Sequence, residues 1–219
     1  GFSGVQPSFD IIDKNNWFWI IPFSNGVTSI GYVGSLDVLN SLKGTATEKM
    51  SKLLKLTKNF YPRFKNINFL FNPIGINNYS KSVKQLYGKG YVLTGNSSEF
   101  LDPVFSSGVA FATESSLKAS KLIFKELNNE SIDWEEEYSN YIKYGVNVFT
   151  SYIKEWYTGN LQTLFFHKPE NPKIKKQICS VLAGYVWDKT NPFVRKHDSI
   201  IKNLAYLINS EKTSKNNSK

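Results

Sequence analysis

The chain has 219 residues, of which 41% are hydrophobic and 15% aromatic, enough for a packed core and too apolar for a disordered chain. Its formal charge of +9 suits an acidic cofactor or an acidic protein, while lysines scattered among asparagines point away from a nucleic-acid motif. One cysteine, Cys179, rules out intrachain disulfides; with only His167 and His197 beside it a zinc site is not expected, a reducing, cytoplasmic compartment is, and no run approaches the ~18 apolar residues of a membrane span.

A short strand is expected over residues 9–12. Residues 17–23 and 27–33 read as a hairpin, because Asn25-Gly26 supplies two residues that accept the positive φ of a type I′ turn. Pro22 lacks an N–H and suits a strand edge or bulge. Trp17 and Trp19, two apart, project to one strand face as a flat aromatic wall, a pattern that also serves to fill cores. Thr45 or Thr47 caps a helix over 48–60, with Met50, Leu53, Leu54 and Leu56 on its apolar side. Pro62 ends that helix or begins a short turn. Residues 78–86 alternate weakly as a strand, and Tyr87-Gly88-Lys89-Gly90 turns the chain into Tyr91-Val92-Leu93-Thr94, a buried central strand by composition.

Helical patterns dominate from there. A helix over about 107–128 carries Ala112, Ser116, Ala119 and Ile123 on one side. A second, rich in Tyr and Trp, runs from a Ser131 cap to about Tyr157 and is broken by Gly159-Asn160. Residues 161–166 form a short apolar segment, 174–187 a helix with Ile178, Leu182 and Tyr185 on one side, and 197–210 a last helix. The fold class is α+β: an antiparallel sheet in the N-terminal half, a loop and helix in the middle, and a helical C-terminal half. This divides the chain into 1–128, a helical domain 129–210, and a polar tail, 211–219, expected to fray. An opening Gly1 in place of Met is expected to mark a fragment.

The stretch 95–108, GNSSEFLDPVFSSG, stands at the centre of this plan. A strand that feeds a loop of small polar residues, which then opens a helix, offers free amides and the positive end of a helix dipole to an anion. With no Lys or Arg between Gly95 and Gly108, binding there would be by backbone. The same residue types also make an ordinary strand–loop–helix connection.

Two patterns resemble one family. Trp17-Phe18-Trp19-Ile20-Ile21-Pro22 fits W-x-W-x-I-P, and Phe100, Pro103, Ser106 and Gly108 fit F-x-x-P-x-x-S-x-G, in the same order as in flavin-dependent halogenases. The run from Asp102 to Gly108 is similar to halogenases acting on carrier-protein-tethered substrates. The resemblance implies FAD, reduced by a partner flavin reductase, which with oxygen oxidises a halide that an essential lysine hands to an aromatic or carrier-tethered substrate. It implies cofactor contacts at Gly95, Asn96, Phe100, Pro103, Ser106, Ser107 and Gly108, a halide at the amides of Ser106, Ser107 and Gly108, and an active-site wall at Trp17 and Trp19. Asn96 stands where the family usually has Asp, so a ribityl hydroxyl would be met without charge. The G-x-G-x-x-G unit and the lysine are expected upstream, making this the C-terminal portion, inactive alone. Two alternatives remain open: a flavin monooxygenase or dehydrogenase without halogenation, and a non-catalytic carrier-protein-binding module.

Overall fold

The computed structural model describes residues 6–167 and 172–217. They fall into two compact units divided between Asn77 and Asn78.

The first unit is a three-stranded antiparallel sheet backed by helices. β1 (Ser8–Ile11), β2 (Trp17–Pro22) and β3 (Thr28–Val33) lie in that order, so β2 is central. Pro22 is tolerated there because it is the last residue of β2, paired with Thr28 of β3 and beyond the stretch paired with β1. The β2–β3 turn is not type I′. Its loop is three residues long, Gly26 N–H donates to Phe23 O at 3.1 Å, and Gly26 alone has positive φ, 87°. Asn25 keeps an ordinary φ because the extra residue lets a glycine bulge supply the twist.

Strand alternation then separates two faces. Phe18 and Ile20 are buried against Leu53 and Leu54. Those leucines belong to α2 (Ala46–Leu54), which follows α1 (Leu36–Ser41). Thr45, not Thr47, caps α2 in a full capping box with Glu48. The helix stops at Leu54, short of the expected Phe60, because Thr57 N–H and Oγ1 both turn back to Leu54 O, at 3.1 and 2.7 Å. Pro62 sits in the first turn of the short α3 (Tyr61–Phe64). Trp17 and Trp19 share the opposite sheet face. Their rings meet edge-on at 60°, with centroids 6.4 Å apart, rather than as a flat wall. The Trp19 indole lies over Gly31, its cross-strand partner, and its Nε1–H donates to Ser29 Oγ.

The second unit is mostly helical. Where one strand over 78–86 and a buried central strand over 91–94 were expected, four two-residue strands appear. β4 (Lys81–Ser82) pairs with β7 (Glu99–Phe100), and β5 (Tyr87–Gly88) with β6 (Tyr91–Val92), both antiparallel. Tyr91 is exposed, and Leu93 gives its carbonyl to the Tyr138 hydroxyl instead of a ladder.

α4 (Gly108–Leu127) matches the expected helix, but its buried side is Phe111, Ser115, Ala119 and Leu122. Ser116 and Ile123 are exposed. Phe111 and Leu122 outweigh the small residues, which rotates the stripe by one position, about 100°. Phe111, Ala119 and Leu122 pack with Leu86, Tyr138 and Ile142 in one core, so a division at 128/129 would cut through it. The next helix begins as a π-helical turn, Glu135–Asn140, capped by Asp133 rather than Ser131, and continues as α5 (Tyr141–Tyr157).

Gly159 breaks the chain as expected, and the segment after it is helical, α6 (Asn160–Phe166). α7 (Pro172–Leu182) buries Ile178 and Val181 and ends before Tyr185, which is exposed. α8 (Pro192–Arg195) is capped by Asn191. α9 (Ile200–Asn217) extends through the polar segment expected to fray, as far as Asn217. Helices with small antiparallel sheets make the chain α+β.

Candidate functional site

Residues 95–108 connect β6 to α4 by two tight turns pinned to the helical core. Gly95 has φ 55°, and a Cβ there would stand 3.0 Å from Ala112 Cβ, so only glycine lets the chain lie directly on α4. Its N–H donates to Ser115 Oγ at 2.8 Å. Its carbonyl accepts from both Ser98 Oγ and Ser98 N–H, at 2.7 and 3.0 Å. The first turn, Gly95–Ser97, is a 3-10 helix that carries Asn96.

The second turn, Pro103–Phe105, is also 3-10 and is capped by Asp102, whose Oδ1 accepts Val104 N–H at 3.0 Å. Asp102 does more than cap. Tyr157, the last residue of α5, donates its hydroxyl to both carboxylate oxygens at 3.1 Å, and Tyr79 donates to Oδ2 at 3.2 Å. Burial, the Asp102 charge and this bond together push the Tyr79 phenol well above its usual range, keeping it a donor at neutral pH. Phe105 meets Trp156 edge-on at 5.7 Å, and Phe100 lies 6.0 Å from Tyr79. The end of α5 and the Tyr79 segment thus clamp the turn from two sides.

At the end of the loop, Ser106 adopts the left-handed region, φ 52°, and gives its N–H to Pro103 O at 2.8 Å. This corrects the expectation of three free amides at Ser106, Ser107 and Gly108: the first is spent within the turn. Ser107 is buried at the N-cap of α4 and makes no side-chain capping bond. The first backbone bond into α4 runs from Phe111 N–H to Ser107 O, so Gly108, Val109 and Ala110 precede any intrahelical acceptor. A Cβ on Gly108 would meet only Asn96 Oδ1, at 3.7 Å. A 20-residue helix therefore opens at an uncapped, glycine-led end. The side chains nearby in sequence add no positive charge: Glu99 and Asp102 are both carboxylates, and burial raises the Glu99 carboxyl.

Gly95, Asn96, Phe100, Pro103, Ser106, Ser107 and Gly108 all belong to this one assembly in the second unit. Trp17 and Trp19 belong to the first unit. Sequence reasoning missed Asp102, Ser115, Tyr138 and Tyr157 as the residues that hold the loop. An Asp directly before Pro103, at the start of a turn, was a readable cap signal. The tyrosines carried none, because aromatic residues on a long helix read as core. Among the described residues no three His, Cys, Asp or Glu cluster as a metal site, and no helix is long and apolar enough to cross a membrane.

The tryptophan halogenase family model matches residues 8–208. A 1H-pyrrole-2-carbonyl-[peptidyl-carrier protein] chlorinase from Pseudomonas fluorescens is 27% identical over 175 residues, which cover 79% of this chain and 38% of that protein. The crystal structure of a flavoprotein/dehydrogenase from Cytophaga hutchinsonii matches with a TM-score of 0.90 and 44% identity, over 94% of this chain and 51% of that one. A flavin-dependent brominase shares the fold, with a TM-score of 0.77 at 20% identity, over 94% of this chain and 51% of that one. The chain thus spans about half or less of the length of the relatives it matches. With both the sheet unit and the loop–helix unit inside the matched span, the chain belongs to the tryptophan halogenase family.

Proposed function

We infer that the chain is part of an FAD-dependent halogenase that acts on an aromatic or carrier-protein-tethered substrate. It would use reduced FAD from a flavin reductase, oxygen and a halide. One observation carries the reading: a loop clamped from two sides delivers an uncapped helix end with no basic side chain in reach along the loop. Such an end holds a small anion by amide donors and dipole, without the deep well of a lysine pair.

The cofactor fits what is present. Gly108 leaves the backbone bare at the helix end of the loop, Gly95 seats the first turn on α4 and so positions Asn96, Asn96 offers a neutral amide suited to a hydroxyl, and Phe100 and Pro103 give apolar surface. When bound, FAD supplies the redox chemistry that lets oxygen oxidise the halide. The chain's own part is to place the amides of Ser107 and Gly108 toward the halide and to keep the loop from moving during turnover. Of the two tryptophans Trp17 is buried and Trp19 half-buried, so Trp19 is the one with ring surface to offer a substrate. The carrier-tethered substrate is favoured by the likeness to the pyrrole chlorinase.

Halide-dependent turnover by the full-length protein tests the reading, with bromide located in crystals by its anomalous signal. Bromide bound near the flavin with the Ser107–Gly108 amides unoccupied would remove the halide site. A second reading has a specific basis, since the structure 44% identical to this chain is described as a flavoprotein/dehydrogenase. Oxidation of the substrate without halide, at full rate, would select it.

A further inference from the structure

Charge in the first unit is concentrated at one place. Residues 43–65 carry seven cations and a single carboxylate, Glu48, a surplus of six out of the nine for the whole chain. Glu48 is committed elsewhere: its carboxylate accepts the Thr45 N–H at 2.7 Å in the capping box of α2. The side-chain ion pairs among the described residues, Lys143–Glu135 and Lys202–Glu155, are both in the other unit.

The cations are held on a rigid surface. Lys49, Lys52, Lys55 and Lys58 recur at three-residue steps along α2 and the turn that follows it, and all but the half-buried Lys49 are exposed. Lysines that close on one helix repel each other. Beneath them Leu53 and Leu54 are buried, and Phe60, Tyr61 and Phe64 pack on the same core. The Arg63 guanidinium lies 5.8 Å from the ring centroids of both Phe60 and Phe64, which keeps its planar fork at the surface. Leu56 and Ile67, each about half exposed, place apolar area beside the charges.

We propose that the elbow formed by α2 and α3 is a docking surface for an acidic face of the carrier protein that delivers the acyl substrate. The proposal rests on the carrier-borne reading above and names where that partner binds. An uncompensated surplus of six steers an acidic protein from solution and fixes its orientation. Nucleic acid is disfavoured because Phe60, Tyr61 and Phe64, the rings between the cations, are half-buried against the core, two of them with the Arg63 guanidinium beside them, which leaves little ring face for bases to stack on.

The test uses the full-length enzyme, a peptidyl carrier protein loaded with 1H-pyrrole-2-carbonyl as probe, and the same acyl group on N-acetylcysteamine as a small thioester. The variant reverses three exposed cations, Lys52→Glu, Lys55→Glu and Lys58→Glu. A second variant makes all three Gln, to separate charge from fold. Carrier binding, read by fluorescence anisotropy, should weaken at least tenfold in the Glu variant and to an intermediate degree in the Gln variant. KM for the loaded carrier should rise in parallel, with kcat for the thioester unchanged and a shallower salt dependence. If wild type turns over the loaded carrier and the Glu variant binds it equally well, the docking surface is wrong and the carrier reading stands. If wild type accepts the thioester but neither binds nor turns over the loaded carrier, the carrier reading fails and the docking partner with it. If the Glu variant loses binding only to vesicles containing phosphatidylglycerol, the elbow faces lipid and the proposal is overturned.

Discussion

Asp102→Ala should release the turn that presents the α4 helix end. The substitution deletes the Tyr157 bonds at 3.1 Å, the Tyr79 bond at 3.2 Å and the Val104 capping bond at 3.0 Å. Hydrogen bonds to a charged group contribute about 1.5–3 kcal/mol each when desolvated. Asp102 is only half-buried, so about 1 kcal/mol for each of the three donors, Tyr157, Tyr79 and Val104, is the reasonable figure, about 3 kcal/mol in all. Tyr157→Phe removes one partner and should cost about 1 kcal/mol. Because the two residues touch, the double variant should be less damaged than the sum, with a coupling of about 1 kcal/mol. Urea unfolding of the full-length protein at constant m-value measures the cycle, and hydrogen exchange at Val104 and Ser106 reports whether the turn opens. Flavin affinity should fall about tenfold for Asp102→Ala, the effect of losing about 1.4 kcal/mol of preorganisation. Strict additivity within about 0.3 kcal/mol, with exchange unchanged at those amides, would show that the Tyr157–Asp102 contact does not hold the loop.

Gly108→Ala should leave the unliganded fold intact, since the added Cβ meets only Asn96 Oδ1 at 3.7 Å; unchanged unfolding with a raised halide requirement or weaker flavin binding is the expected pair of results. Gly31→Ala should do the opposite, because its Cβ would fall 1.9 Å from the Trp19 ring; a cost of about 1–3 kcal/mol or more and a shifted tryptophan emission would report the displaced indole. Burial raises the Tyr138 phenol from 10.0 to about 12. Below pH about 10 both folded and unfolded states keep that proton. Between about 10 and 12 the unfolded state sheds it first, so stability should fall with rising pH, and the fall should be shallower in Tyr138→Phe. The same variant should lose about 1–3 kcal/mol at neutral pH by leaving Leu93 O without its 2.6 Å donor.

What could be read in advance was what short-range chemistry decides. The Trp17–Val33 hairpin, a threonine cap at Thr45 or Thr47 (it is Thr45), the α4 helix and the Gly159 break all rest on residues close in sequence, and all are present. The type I′ turn failed over one inserted residue, which Asn-Gly alone does not reveal. The 91–94 strand is present only as Tyr91–Val92, paired with β5; at Leu93 the ladder stops, because its N–H goes to Leu86 O and its carbonyl to the Tyr138 hydroxyl, 45 residues away, which apolar, β-branched residues do not announce. The α4 stripe slipped by one position because small residues at regular spacing imitate a packed face, while the larger Phe111 and Leu122 decide which side is buried. The loop's backbone was legible in its Gly, Pro and Ser. Its clamp was not, because Tyr157 lies 55 residues from Asp102 and nothing local announces that they meet.

The π-helical turn Glu135–Asn140 has a consequence for chain length. A wide turn is how a helix takes in one surplus residue, and here it does so at the start of the helix, leaving α5 after it in register. Here the stored residue lets Tyr138 reach Leu93 O while Tyr141 still reaches Glu114 Oε1. Homologous chains can therefore differ by one residue at this point without moving the Tyr157 end of α5. A chain lacking that residue would close the turn into ordinary α-helix and rotate everything before it by about 100°. Its Tyr138 counterpart would leave the core, and the 93–95 backbone would need a different anchor. A relative one residue shorter within 135–140 would be a chain whose loop is held in another way.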